Sequence, residues 1–472
     1  MNSQKVLDIF KEITRIPRES GHEELIGAYL KEFAAKRNLT CKSDSFGNIV
    51  ITKEASAGKE NVPTLVFQSH MDMVCEKNAG VDFDFSKDPI NFVIEDGWMV
   101  AKDTTLGADD GIGVATELAL LDSDLSLGKI ECVFTTSEET GLDGAFGMEP
   151  GFFEGKTLIN LDSEEEGEFT IGCAGGINTT ADFEYTLEPV KEGSKCVRIA
   201  IEGGTGGHSG EDINKGRVNT LQQMASFLNL TDGIQLVSLV GGGKHNAIAR
   251  ECCAVVAAED AEALIAQFTA FFERVKEAFS DTDPELRMTA EVVETVADAV
   301  DMKTAVSLVS SLATCPHGVQ AMSKDIEGLV ETSTNLASVD MNTEGVFHIV
   351  SSQRSSVNPE CKAIAEKVAK NFDAKGAKTA HSSGYPGWKP DVDSQILADC
   401  VASYEKLFGV KPIVKAIHAG LECGLFGEKF GGLDMISFGP TLLKVHTPGE
   451  KMDLASVDKF VALLVDVATS FK

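Results

Sequence analysis

Positive charge is scarce in this sequence. Lys and Arg together number 42 against 73 Asp and Glu, a net charge of −31 over 472 residues. Such an imbalance keeps a chain in solution and argues against nucleic acid or anionic membrane as a partner. No stretch approaches the roughly 18 uncharged apolar residues that a membrane span requires. The opening MNSQKVLDIFKEITRIP lacks the basic region, unbroken apolar run and small-residue cleavage site of a signal peptide. It reads instead as an amphipathic helix with Val6, Ile9, Phe10 and Ile13 on one face. Eleven cysteines are scattered without a C-x-x-C pair, and Cys252 adjoins Cys253. That pattern fits reduced, buried thiols in a cytoplasmic protein better than a disulfide framework or a structural zinc knuckle. Low-complexity segments and solenoid repeats are missing too.

What remains is a folded composition, 43% hydrophobic and 24% charged, long enough for two domains. Strands are expected at 47–53, 64–74, 129–136 and 156–162, with a helix over DDGIGVATELALLDS between the second and third. Apolar strands alternating with helices imply a sheet covered on both faces. From about residue 187 the texture becomes α+β, with strands in CVRIAIEGG and VFHIVSSQRSSV and helices at 259–280, 302–314 and 359–372. HSSGYPGWKPD is rich in turn formers and reads as a crossing back, after which helix–strand alternation resumes. The expectation is an α/β protein whose three-layer main domain has a mostly parallel mixed sheet. That domain spans 1–186 and 389–472, with an α+β lid domain inserted over 187–388.

Several strand ends carry acidic residues or histidines. In QSHMDMV, His70 and Asp72 are two apart on a strand and so project together. In TTLGADDGIG, Asp109 and Asp110 precede a helix, and one of them is expected to cap it. The G-x-G here lacks a third glycine, and its aspartates would repel a pyrophosphate, so dinucleotide binding is disfavoured. SEETG supplies Glu138 and Glu139, NLDSEEEGE supplies Asp162, and LLKVHTPGE supplies His446. Each alone could be a solvated end. Together they gather beyond the carboxyl ends of the strands, where sites in open α/β sheets assemble. Five carboxylates converging there need cations to stay ionised. Two imidazoles with several carboxylates suit two divalent ions, zinc foremost, with manganese or cobalt as substitutes.

The order of these motifs resembles the co-catalytic zinc exopeptidases, the family that includes the aminoacylases and dipeptidases. SHMD, GADDGIG, SEETG, NLDSEE and HTPGE carry the resemblance across the main domain. PRESGHEE, CEKNAGVDFDFSKDPI, GCAGG, GGTGGHSGEDINKGRVN and AIHAGLECG extend it, toward dipeptidase members, over essentially the whole chain. The resemblance implies hydrolysis of dipeptides, Xaa-His included, by water activated between two metals. It makes His70, Glu139 and Asp162 terminal ligands, has His446 complete the pair and lets Asp109 bridge. Asp72 would orient the His70 imidazole, Glu138 would be the general base, and His208 of the inserted domain would meet the oxyanion, with domain closure completing the site. Arg354 is a candidate for the substrate carboxylate and Glu422 for its free amine. Asn246 and Asn335 are weaker candidates for polar contacts, and His245 and His418 stay unassigned. Family relatives include dimers formed through the inserted domain. The alternatives are an N-acyl amino acid deacylase or tripeptide aminopeptidase on the same scaffold, an inactive binding protein, and, more distantly, a NAD-dependent enzyme.

Overall fold

The computed structural model describes residues 1–342 and 345–472 and divides the chain into two compact units. The first comprises Met1–Gly172, Pro390–Ala416 and Leu421–Lys472, and the second comprises Cys173–Lys389 and Ile417–Gly420. The strand Gly175–Glu184 belongs to the second unit, where it pairs along its whole length with Val346–Ser355. The chain thus changes unit before the crossing expected at residue 187. The residues of the loop after Ala416 also visit the second unit, a short excursion that no composition shift announces.

An eight-stranded sheet organises the first unit, in the order Thr40–Ser43, Ile49–Lys53, Ile130–Thr135, Leu65–His70, Thr157–Asn160, Asp434–Ser437, Glu168–Cys173 and Ile413–Ile417. Leu65–His70 runs parallel to both of its neighbours, and Thr157–Asn160 runs parallel to Asp434–Ser437; antiparallel pairs flank this centre. The two central strands Leu65–His70 and Ile130–Thr135 are buried at every position, as expected of a sheet covered on both faces. Helix Ser3–Ile13 buries the four apolar residues of its predicted face, and Asn2 caps it by accepting the Lys5 N–H at 3.0 Å. It packs on helix Ala108–Leu121. A small four-stranded sheet of Phe92–Glu95, Trp98–Ala101, Leu442–Leu443 and Lys451–Asp453 joins two segments far apart in sequence. Phe92–Ala101 is a hairpin that turns at Asp96 and Gly97, both with positive φ, between the apolar runs FVI and WMVA.

The second unit holds a nine-stranded sheet whose identified pairings are all antiparallel. Its two α+β halves meet edge to edge: Ile234–Gly242 joins Val330–Met341 through two residue pairs, Gly241↔Val339 and Gly242↔Ser338. Helices Thr220–Asn229, Ala261–Ala278, Met302–Thr314 and Asn358–Asp373 contribute buried faces to one continuous core. The helices expected at 259–280, 302–314 and 359–372 agree with the last three of these to within two residues. No helix is long and apolar enough to cross a membrane among the described residues.

Candidate metal centre

Parallel pairing places His70, the Ser137–Glu139 turn and Asp162 at one edge of the first unit's sheet, since their strands are immediate neighbours. The strand expected over 64–74 ends at His70, so Asp72 lies past it in a loop. Met71 still donates its N–H to the Thr135 carbonyl at 2.8 Å, after which the chain turns. The turn is held by Arg18, 2% exposed, whose guanidinium donates to the carbonyls of Met71, Asp72 and Gly107. The Asp72 carboxylate comes back to within 3.3 Å of His70 Nδ1. The pair therefore meets through a loop braced by Arg18, and not through strand periodicity.

Asp72 also accepts the Ser20 hydroxyl at 2.7 Å and the backbone N–H groups of Glu138 and Glu139 at 3.1 and 3.3 Å. Ser137 takes a left-handed φ of 51°, which turns the chain as it leaves the strand. Its N–H and hydroxyl both donate to Glu23 at 2.9 Å. Arg18, Ser20 and Glu23 all come from PRESGHEE, a segment with no ligand spacing to mark it, and each positions a candidate residue without being one.

Asp109 and Asp110 divide their work. Asp110 caps the helix by accepting the Gly113 N–H at 3.0 Å. Asp109 keeps a non-helical ψ of 114° and directs its carboxylate between two imidazoles: Oδ1 lies 3.0 Å from His70 Nε2, and Oδ2 lies 3.0 Å from His446 Nε2. The loop before it is fixed by Glu450, which accepts N–H groups of Leu106, Gly107 and Ala108 at 2.7, 3.0 and 2.8 Å, and approaches that of Asp109 at 3.4 Å. Gly107 has φ 67°, and a Cβ there would lie 2.4 Å from the Arg18 guanidinium. His446 sits between the short strands Leu442–Leu443 and Lys451–Asp453, with its side chain 47% exposed.

The donors form two sets that share one residue. His70, Asp109 and Asp162 offer ligand atoms within 4.8 Å of one another, and so do Asp109, Glu139 and His446. Glu138 falls in a third grouping with His70 and Glu139. Electrostatics favour cations at this cluster. Burial pushes Asp162 and Glu138 well above the usual carboxylate range, and neighbouring carboxylates push both further. Hydrogen bonds to Asp109 and Glu139 raise His446 to about 11. Crowded carboxylates facing imidazoles that lack other counter-charges are the donor chemistry of divalent transition-metal sites.

The role expected for Glu422 is to reach a substrate amine. It is instead fully buried, and its Oε2 accepts Gln68 Nε2 at 2.6 Å and the Thr135 hydroxyl at 2.8 Å. Burial raises it to about 7. Enclosed in this way, it is held by residues of two central strands, with its Oε1 left without a partner.

The remaining candidates belong to the second unit. Arg354, 7% exposed, donates to the Tyr385 hydroxyl at 3.1 Å and lies 3.4 Å from His208 Nε2, while its Nε has no partner. Among the described residues no carboxylate forms an ion pair with it. Burial and the Arg354 charge lower the pKa of both His208 and His245, so these imidazoles are neutral. The Glu211 N–H lies 3.3 Å from His208 Nδ1 and the Arg354 guanidinium 3.4 Å from Nε2, so two donors approach a neutral ring that can accept at one nitrogen. A buried guanidinium without a counter-ion and a neutral imidazole donor together suit an anionic guest. Asn335 is buried and spends its amide on the carbonyl of Ala247 at 2.8 Å, so it braces the 245–247 segment. Asn246 is half-buried in that segment, and its carbonyl accepts the Ser209 N–H at 2.9 Å.

His418, left unassigned by the sequence, is buried against Ser333 at 2.7 Å. Burial first and Arg354 second lower its pKa from the ordinary 6.5 to about 3. The native state holds it neutral, whereas an unfolded chain protonates it below about pH 6.5. Stability is therefore full above that pH and falls as acid is added, with a slope approaching 1.4 kcal/mol per pH unit between about pH 6 and 4. Urea titrations across this range check the expectation, and His418→Gln should flatten the dependence.

The description of peptidase family M20/M25/M40 matches residues 66–470. The chain is 36% identical over 474 residues to the cytosol non-specific dipeptidase of Escherichia coli (strain K12), covering 99% of this chain and 97% of that one. The crystal structure of aminoacylhistidine dipeptidase from Vibrio alginolyticus superposes with a TM-score of 0.93 at 37% identity, covering 99% of this chain and 96% of the other. An aminopeptidase from Bacillus cereus shares the fold at 17% identity and a TM-score of 0.58, with 99% and 98% covered. On the extent of the family match and the identity to these relatives, the chain belongs to peptidase family M20/M25/M40.

Proposed function

We propose that the protein is a metal-dependent dipeptidase whose substrates include Xaa-His dipeptides. The observation that carries this reading is the pair of three-donor sets sharing Asp109, with Glu138 adjacent to the ligand candidate Glu139. His70, Asp109 and Asp162 would hold one divalent ion, and Asp109, Glu139 and His446 the other, zinc in both by preference, with manganese or cobalt able to substitute. Such ions supply Lewis acidity at the scissile carbonyl and lower the pKa of a water. Glu138 takes the proton from the attacking water and returns it to the leaving amine. Asp72 fixes the ring of His70 and, through the two N–H groups it accepts, the direction in which Glu138 and Glu139 point.

His208 is the neutral donor for the developing oxyanion, and Arg354 holds the substrate carboxylate. Arg354→Ala should raise KM for dipeptides by about 10²-fold or more, the cost of losing a charge-assisted pair of roughly 3 kcal/mol. Steady-state kinetics test it, and an unchanged KM would remove Arg354 from this role. The names of the E. coli and V. alginolyticus relatives favour a dipeptidase over the deacylase or tripeptide aminopeptidase alternatives. Carnosine, Leu-His, a tripeptide and an N-acetyl amino acid assayed side by side decide among them; faster turnover of the blocked substrate would overturn the proposal. We also place the protein in the cytoplasm, as the E. coli relative's name suggests, and propose a homodimer formed through the second unit, which light scattering would test.

A further inference from the structure

A row of buried polar side chains crosses four neighbouring strands of the first unit's sheet directly behind the ligand candidates. Thr135, Gln68, Asn160 and Ser437 lie on adjacent strands, with Gln68 opposite Asn160 and Asn160 opposite Ser437. All four are buried, and Glu422 closes one end of the row. The amide of Gln68 donates to Glu422 at 2.6 Å, and the amide of Asn160 donates to Gln68 Oε1 at 2.6 Å. Ser437 donates its hydroxyl to Asn160 Oδ1, and the hydroxyl of Ser163 lies 2.8 Å from that of Ser437.

We infer that Glu422 is a positioning residue that sets the direction of this hydrogen-bond row, and that the row fixes the spacing of the metal-ligand side chains in front of it. When ionised, Glu422 can only accept, and Gln68 turns its amide nitrogen toward it. Its oxygen then faces Asn160, which must donate in turn, and the Asn160 oxygen is left to accept. Every donor therefore points toward Glu422. The row reaches the ligands through the backbone. Gln68 precedes His70 by two on the same strand face, and the Asn160 oxygen also accepts the Asp162 N–H at 3.3 Å. His70 and Asp162, 3.6 Å apart at their ligand atoms, thus hang from two side chains bonded to each other. The second oxygen of Glu422 has no partner, so the carboxylate is present for the two donors it receives.

The inference rests on the metal-centre reading, and its test is cation affinity measured by competition of zinc with a chelating dye, alongside kcat and KM. Glu422→Leu should weaken binding by about 10- to 100-fold, the usual cost of losing a partner behind a ligand. Glu422→Gln, whose amide oxygen can still accept both donors, should stay close to wild type. Asn160→Asp cannot donate to Gln68 and should be as harmful as Glu422→Leu. The double variant Asn160→Asp/Glu422→Gln restores affinity, because the two bonds that link positions 422, 68 and 160 can then reverse while Ser437 goes on donating to position 160. The amide introduced at position 422 donates to the Gln68 oxygen, and the Gln68 amide turns to donate to the carboxylate introduced at position 160. A merely structural role predicts no such rescue. Wild-type affinity in Glu422→Leu, failure of the double variant to recover, or a KM effect confined to substrates with a free amine would each overturn the inference. Absence of tight zinc binding by the wild-type protein would instead overturn the metal-centre reading itself.

Discussion

Glu138→Ala lowers kcat by about 10²- to 10⁴-fold, the range for removing a positioned general base, while bound metal stays at the wild-type level. Glu139→Ala, one residue away, loses one equivalent of metal as well as activity. The contrast follows from the turn. Asp72 takes the backbone N–H groups of both residues, so their side chains leave one anchored point, and their carboxylates come within 4.8 Å of each other. Glu139 joins Asp109 and His446 in a donor set that does not include Glu138. Glu138 also comes within ligand distance of His70, which makes the measurement decisive. Elemental analysis of the two variants, paired with kcat, separates base from ligand. If Glu138→Ala also lost metal, the assignment of the two glutamates would have to be exchanged.

Glu450→Ala is expected to destabilise the first unit by about 3–9 kcal/mol, counting roughly 1–3 kcal/mol for each of three strong N–H donors left unpaired in a buried loop. Those donors are the N–H groups of Leu106, Gly107 and Ala108, and the carboxylate they share is 2% exposed. Because the loop delivers Asp109, metal affinity should fall with stability. Glu450→Gln, which keeps one acceptor oxygen, should lie between the alanine variant and wild type. Urea denaturation midpoints with and without added zinc check both parts, and a small stability change would mean that water replaces the carboxylate.

His70, Glu139 and Asp162 are legible in the sequence because they sit at or just past the end of an apolar strand, a signal that survives without coordinates. Asp110 as the cap and Asp109 as its unencumbered neighbour are half legible: the pair is clear, the division is not. Arg18, Glu23 and Glu450 are hidden because they act on backbone groups, and Ser20 because it meets the Asp72 carboxylate from a distant segment; nothing in residue spacing tells which partner a side chain will meet. Glu422 misleads for a related reason. Its chemistry suggests an amine partner, but burial, which sequence does not state, gives its oxygen to Gln68 and Thr135 instead. The α+β character of the second unit is visible in its helices. The union of its two halves into one sheet is not, since it depends on only two residue pairs between Gly241–Gly242 and Ser338–Val339.

The sharing of Asp109 between two donor sets ties both sets to the last segment of the first unit. His70, Asp109 and Asp162 precede the second unit in sequence, and His446 follows it. Even the first set leans on that later segment, because Glu450 holds the loop before Asp109 and Ser437 donates to Asn160. A chain cut after the second unit would therefore lack a ligand candidate and also the carboxylate that places Asp109.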